Sequence, residues 1–361
     1  MAMRLVASRI QRGSRPRPSI LLDLVDDDGH IGHGEAAPLP PFSREDADAC
    51  ASVLAQAHER IDAIDESAVL VEAVTHALRP FGRALEAVPS ARFALETALF
   101  DLLGQRSGRS VAACLGGTGA YDRVPVNALL VAPPVETLAE RAAALAAEGY
   151  SALKIKLKAA DEEGFARELD ALLEVRARLP LPYEIRLDPN AAWPEEDARR
   201  RLLALAPIAP SFVEQPVAAD ALHRLGACAV PWAADESLVD PQMVDRLASS
   251  RGCAAFVIKP AVLGGLVRAR ALAVRAQEAG IDVVVTHFFD GPFALAAAAE
   301  LALSLPRAPL ACGLAAHGDL AVFSASFGGV AIPQLAERFA VRSSGGPGLG
   351  VHSTWSCEGH G

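Results

Sequence analysis

The chain has 361 residues, 51% apolar and 22% charged, with 34 Lys and Arg against 44 Asp and Glu for a formal net charge of −10. At about 150 residues per domain, this length holds two domains or one large α/β barrel with an appendage, and either can bury a sizeable core. The 28 glycines and 25 prolines follow no period, and no apolar run reaches the roughly 20 residues of a bilayer-spanning helix, which excludes collagen, wholesale disorder and a membrane span.

The acidic balance and the lack of a Lys/Arg cluster argue against nucleic acid or a membrane surface as the main partner. The first nine residues, Met1-Ala2-Met3-Arg4-Leu5-Val6-Ala7-Ser8-Arg9, hold no apolar block of signal-peptide length, so a cytoplasmic location is expected. Cys50, Cys114, Cys228, Cys253, Cys312 and Cys357 lie far apart without zinc-ligand spacing and read as reduced thiols.

Three strands are expected over 4–11, 19–25 and 31–36, the last two joined by the hairpin signal Asp26-Asp27-Asp28-Gly29. A turn-rich stretch over 38–43 follows, ending on Ser43 as a cap, and then helices over 44–63, 66–86 and 90–107. In the last, Ser90 is the expected N-cap, and Phe93, Ala94, Ala98, Leu99, Leu102 and Leu103 form a stripe at helical spacing. Residues 1–120 thus read as an α+β unit.

From 121 the pattern changes to short apolar runs, each followed by a helical stretch. Strands are expected over 124–130, 152–157, 184–187, 211–213, 232–234, 255–258, 282–285 and 309–311. Eight alternating units fit a (β/α)8 barrel over 121–317 better than an open sheet. Residues 318–361, rich in Gly, Ser and His, are expected to be turn-rich, to pack back on the N-terminal unit and to fray at the end.

In the second barrel strand, Leu153-Lys154-Ile155-Lys156-Leu157-Lys158 alternates strictly. With its aliphatic side on the helices, Lys154 and Lys156 point into the barrel, where ammonium groups need anionic partners or a depressed pKa. The third, fourth and fifth strands end in Arg186-Leu187-Asp188-Pro189-Asn190, Val213-Glu214-Gln215-Pro216 and Ala234-Asp235-Glu236. Singly, an acid at a strand end is an ordinary turn former. Together, Asp188, Glu214 and Asp235 reach the carboxyl-end face of a barrel, where three hard oxygen ligands suit Mg2+ rather than zinc. Lys259 closes the sixth strand opposite the lysine pair. From Lys156 through these four residues the steps are 32, 26, 21 and 24 residues, each about one β/α unit. Lysines around a metal-bound carboxylate are built for removal of an α-proton: positive charge neutralises the enediolate, and neighbouring cations with burial keep one amine of the Lys154/Lys156 pair neutral.

This residue set resembles the enolase superfamily, in its muconate-lactonising subgroup, where a Lys-x-Lys strand, Asp, Glu, Asp and a later Lys occupy successive barrel strands. The resemblance implies an enolase-like barrel with an N-terminal α+β capping domain. The stretches 32–43 (Gly-His-Gly-Glu-Ala-Ala-Pro-Leu-Pro-Pro-Phe-Ser) and 125–130 (Pro-Val-Asn-Ala-Leu-Leu) look like those of o-succinylbenzoate synthases. That implies a lyase of menaquinone biosynthesis: Mg2+-dependent syn dehydration of 2-succinyl-6-hydroxy-2,4-cyclohexadiene-1-carboxylate through an enediolate, with Mn2+ as a substitute metal. Lys156 is then the single base, Lys154 lowers its pKa, Lys259 is the opposing cation, Asn190 and Arg186 support the ligands, and the loops over 12–18 and 38–44 close over the substrate. The bulky seventh-strand end, Thr286-His287-Phe288-Phe289-Asp290-Gly291-Pro292, departs from the small residues expected there. His287 reads as a substrate contact or a structural residue, and Asp290 as a cap for the next helix.

The competing readings are a two-base racemase or epimerase of N-succinylamino acids or dipeptides, a muconate-type cycloisomerase, and a non-catalytic metabolite-binding barrel. Against the dipeptide version, residues 311–319 lack an Asp-x-Asp to hold a substrate ammonium.

Overall fold

The computed structural model describes residues 2–66, 69–131, 134–159, 161–326, 339–343 and 346–351. Strands Leu5–Gly13, Ser19–Asp26 and Ile31–Ala36 form an antiparallel meander. Its third strand lies on the helix Pro89–Ser107, and approach is close because Gly34 has no side chain: a β-carbon there would overlap the Ala94 carbonyl. Gly34→Ala is therefore expected to cost about 2–3 kcal/mol through overpacking, read from urea unfolding.

The two earlier expected helices are broken. Residues 44–63 yield Ala47–Leu54 and Ala57–Arg60, while Leu70–Ala77, a single turn at Arg79–Phe81 and Arg83–Ala87 replace 66–86. Pro80 and Gly82, the latter at φ 52°, interrupt that second stretch. The caps also differ from expectation. Asp46, not Ser43, accepts from Ala49 N at 2.8 Å, and Ser43 Oγ instead accepts from Leu39 N. Ser90 lies inside its helix, where Glu45 Oε1 takes both its N–H (2.9 Å) and its hydroxyl (2.5 Å). A carboxylate distant in sequence satisfies that helix end better than the local serine.

Seven parallel strands follow in spatial order along the chain: Ala128–Leu130, Ala152–Lys156, Glu184–Asp188, Phe212–Glu214, Trp232–Ala234, Cys253–Ile258 and Asp282–Val285. The eighth stave lies at 310–313, slightly later than expected. Leu310 N and Gly313 N donate to Val283 O and Val285 O on one side, and Cys312 N donates to Pro125 O on the other, which joins the last strand to the first. The expected first strand is split: Arg123–Pro125 pairs antiparallel with Ala340–Arg342, and Ala128–Leu130 enters the barrel. Further along, Leu349 N donates to Asp101 at 2.8 Å, tying the described part of the C-terminal segment to the helix Pro89–Ser107. The end expected to fray, 352–361, lies outside the described residues, as does Cys357; the five described cysteines are free thiols. Among the described residues no helix is long and apolar enough to cross a membrane.

Meander and barrel meet at Glu35. This fully buried carboxyl accepts from Gly291 N (2.5 Å) and Phe293 N (3.2 Å), capping the helix Pro292–Leu303. Asp290, expected in that role, is not the cap; it accepts from Phe288 N instead. Burial, and then the like charge of Asp290, push Glu35 up to about 8 against the pull of the Gly291 and Ala294 N–H groups. Between pH 4.5 and 8 the folded chain thus retains a proton that the unfolded chain releases, so stability falls as pH rises through that window. Glu35→Gln removes this contribution. Wild type should lose up to about 4 kcal/mol more than the variant between pH 5 and 8 in chemical unfolding.

Candidate active site

Side chains alternate inward and outward along each barrel strand, so residues two apart share the interior. The lower interior holds an apolar cluster of Phe212, Ala233, Ala255, Val257 and Val284. One step up, at the carboxyl ends, the same faces carry Lys154 and Lys156, Asp188, Glu214, Asp235 and Lys259. Register sets Lys156 beside Asp188 and Lys154 beside Arg186. Arg186 therefore stands a layer below the acids, and the structure does not bring it to them. It donates to Glu184 and to Ala311 O and stacks 5.2 Å over Phe212.

The remaining sequence-selected residues converge. Lys154 Nζ lies 2.6 Å from Glu214 Oε1 and 2.8 Å from Asp188 Oδ2. Lys156 Nζ donates to Asn190 Oδ1 at 2.7 Å and stands 3.4 Å from Asp188 Oδ2. Asn190, at φ 49°, also donates its N–H to Asp188 Oδ1 at 2.8 Å. Opposite, Lys259 Nζ contacts Asp235 Oδ2 and lies 5.6 Å from the centroid of the Phe288 ring.

Electrostatics follow from which acid meets which ammonium. Burial works to raise Asp188, but Lys154 and Lys156 outweigh it and hold the group low. Glu214 is pushed up, first by burial and then by Asp188 and Asp235, because Lys154 only partly compensates. Of the two ways a buried ammonium can be accommodated, Lys154 has the anionic partners. Burial does act to lower it, yet Asp188, Glu214 and Asp235 prevail and keep it cationic. Lys259 is likewise raised, with Asp235 and Glu214 outweighing burial.

Three residues were not selected from sequence. Gln215, at φ 37°, accepts from Asp235 N (3.0 Å) and Ser237 N (3.2 Å) through one amide oxygen, locking the fourth strand end to the fifth. Glu236 is pushed up to about 7 by burial and then by Asp235, and its Oε2 is buried without a hydrogen-bond partner. Both stand directly beside a selected carboxylate, which was the available signal. Arg17 reaches the turn after the seventh strand from the meander, a placement that no local pattern announces.

A cavity of about 420 Å³ opens above the lysines, within the range of small-molecule sites. Lys154, Lys156, Lys259, His287, Phe288 and His317 line it together with Leu39 and Phe42 from the 38–44 loop, and Glu236 is the one carboxylate lining it among the described residues. His287 is structural in its nitrogens: Nδ1 accepts from Phe289 N at 2.9 Å, which leaves Nε2–H to donate to Ala315 O at 3.2 Å.

Comparison with known proteins agrees with this arrangement. The model of the mandelate racemase / muconate lactonizing enzyme N-terminal domain matches residues 7–116, and that of the enolase C-terminal domain-like family matches 137–356. The chain belongs to the enolase superfamily, in its muconate-lactonising subgroup. It is 32% identical over 294 residues to the L-Lys-D/L-Arg epimerase of Methylococcus capsulatus, covering 80% of each chain. It is 33% identical over 233 residues to the o-succinylbenzoate synthase of Desulfotalea psychrophila, covering 62% of each. A crystal structure of the M. capsulatus dipeptide epimerase, complexed with Mg ion, superposes with a TM-score of 0.78 at 28% identity, over 97% of this chain and 99% of that one. These superfamily relatives are enzymes of several specificities.

The residues present fit a divalent cation. Asp188 Oδ2 is buried and accepts no well-directed hydrogen bond, despite the Lys154 ion pair, and the raised Glu214 marks a carboxylate cluster short of positive charge. Three hard oxygen donors with lysines at the rim suit Mg2+. A different group, Asp26, Asp28 and His30, has its ligand atoms more tightly clustered, but Arg106 already neutralises it through Asp26 (2.9 Å) and Asp28 (2.5 Å).

Proposed function

We propose that this chain is an o-succinylbenzoate synthase, dehydrating 2-succinyl-6-hydroxy-2,4-cyclohexadiene-1-carboxylate in menaquinone biosynthesis. The observation that carries the reading is the charge of the cavity wall. Three lysines face the ligand space, and among the described residues its sole lining carboxylate, Glu236, lies beside Asp235 and Lys259. Among the described residues such a wall suits a dianion and offers a substrate ammonium only Glu236, a carboxyl set beside Asp235 and Lys259, which disfavours dipeptides. At 315–318 the wall is Ala315, Ala316, His317 and Gly318.

Asp188, Glu214 and Asp235 would hold a divalent cation, Mg2+ with Mn2+ as a substitute, whose positive charge acidifies the α-carbon of a carboxylate beside it. Lys156, oriented by Asn190, takes the α-proton as the unprotonated amine. The C–H electron pair moves into the carboxylate while Lys154 and Lys259 offset the developing negative charge. The hydroxyl on the adjacent ring carbon then leaves on the same face, carrying the proton returned by Lys156. Water departs, the ring becomes aromatic, and the lysine is restored to its starting form. Leu39 and Phe42 present apolar side chains to the cavity in which this step would run.

A second reading is favoured by one specific feature: Lys156 and Lys259 stand on opposite sides of the acids, as two-base racemisation of an N-succinylamino acid requires. The test sets the two activities side by side in purified protein with Mg2+. Dehydration of the cyclohexadiene that outpaces deuterium uptake from solvent into N-succinylamino acids supports the synthase. Exchange without dehydration overturns it.

A further inference from the structure

Arg17 makes more contacts across the meander and barrel than any role in the chemistry above requires. It lies between the first two strands of the meander with its side chain 13% exposed. Nε and Nη2 donate to Ala37 O at the end of the third meander strand, at 3.3 and 2.8 Å. On the barrel side Nη1 donates to Phe289 O at 2.7 Å and Nη2 to Phe288 O at 2.9 Å, with Asp290 Oδ1 at 3.4 Å. The guanidinium also lies 5.3 Å over the Phe323 ring. A planar fork with five donors matches this set of acceptors, whereas an ammonium does not.

The clamped turn is strained. Phe289 is a non-glycine residue at φ 53°, a conformation that persists only when its surroundings hold it. Within the turn, Phe288 N donates to Asp290 Oδ2 at 2.8 Å and Phe289 N to His287 Nδ1 at 2.9 Å. Those bonds use the turn's N–H groups. Its carbonyls at 288 and 289 are held by Arg17, and that at 290 by His317 Nε2 at 2.7 Å. The product of this geometry is the position of Phe288, whose ring centroid lies 5.6 Å from Lys259 Nζ and whose ring meets that of Phe42 edge-on at 6.3 Å.

We propose that Arg17 is a positioning residue for Lys259: by clamping the carbonyls of Phe288 and Phe289 it sets the Phe288 ring against the lysine and couples the meander's loops to the cationic side of the site. The proposal rests on Lys259 being a site lysine, as in the reading above, and is independent of the substrate.

The test is the rate at which a small amine-acylating reagent labels each lysine, read by peptide mass spectrometry on full-length Arg17→Ala, Arg17→Lys and wild-type protein. Arg17→Ala should label at Lys259 at least about fivefold faster than wild type, with Lys154 changed less than twofold. Arg17→Lys should fall between, and guanidinium ion at tens of millimolar should slow Lys259 labelling in Arg17→Ala toward wild type. An unchanged Lys259 rate overturns the proposal. So does a parallel rise at Lys154 and Lys259, which would make Arg17 a general brace. If circular dichroism shows Arg17→Ala unfolded, Arg17→Lys decides by the same measurement. No turnover is needed, so failure of the synthase reading shows separately in the dehydration assay.

Discussion

Lys156→Ala should lower dehydration by about 10²–10⁴-fold, the range expected when a positioned acid or base is lost, and leave Mg2+ binding in place. The distinction follows from the contacts. Lys156 reaches Asp188 at 3.4 Å but donates to Asn190 at 2.7 Å, so it is not required to assemble the acids. Lys154, bridging Asp188 and Glu214 at 2.8 and 2.6 Å, sits where both needs meet. Steady-state dehydration kinetics together with calorimetric Mg2+ titration check the separation. Undiminished turnover in Lys156→Ala would remove the single-base mechanism. Asn190→Asp, which keeps a side chain suited to φ 49° and an oxygen acceptor for Lys156, should have a smaller effect in the same assay.

The second large effect is on the acids. Glu214→Gln should abolish the stabilisation of the wild-type chain by Mg2+, which at a hundredfold excess over Kd is about 2.7 kcal/mol. The pH dependence has a definite sign. In the metal-free chain Glu214 is pushed up to about 8, first by burial and then, against the pull of Lys154, by Asp188 and Asp235. Because the cation needs the ionised form, Mg2+ affinity should rise from pH 6 to pH 8 and then level off. The same raised pKa makes the metal-free fold lose stability as pH rises from about 4.5 to 8. Calorimetry at pH 6 and pH 8, with thermal unfolding with and without Mg2+, reads both. Equal affinity at the two pH values would remove the proton linkage, and stabilisation of Glu214→Gln by Mg2+ would remove Glu214 as a ligand.

Much of the site was legible because a barrel turns sequence period into position. Strict alternation at Lys154 and Lys156, and acids at successive strand ends, suffice to place Lys154, Lys156, Asp188, Glu214, Asp235 and Lys259 around one mouth. The same rule misplaced Arg186. Parity puts it on the interior face, but parity does not say at which layer, and the register beside Lys154 sets it below the acids. Helix caps misled for a related reason. Ser43 and Ser90 have the right chemistry nearby in sequence, while the bonds at the helix ends at 46 and 89–90 are made by Asp46 and by Glu45.

The sequence alone determined the fold class and the convergent residues, which follow from periodicity and spacing that persist without coordinates, and the superfamily through the resemblance that those residues carry. Tertiary structure alone decided what depends on residues distant in the chain. Glu35, rather than Asp290, caps the helix Pro292–Leu303 across 256 positions, and Lys154 remains cationic because three acids from three strands outweigh its burial. Arg17 finds its barrel carbonyls more than 270 residues away. Local pattern carries no record of such pairings, because their energies arise only when folding removes water and brings the partners within hydrogen-bond reach.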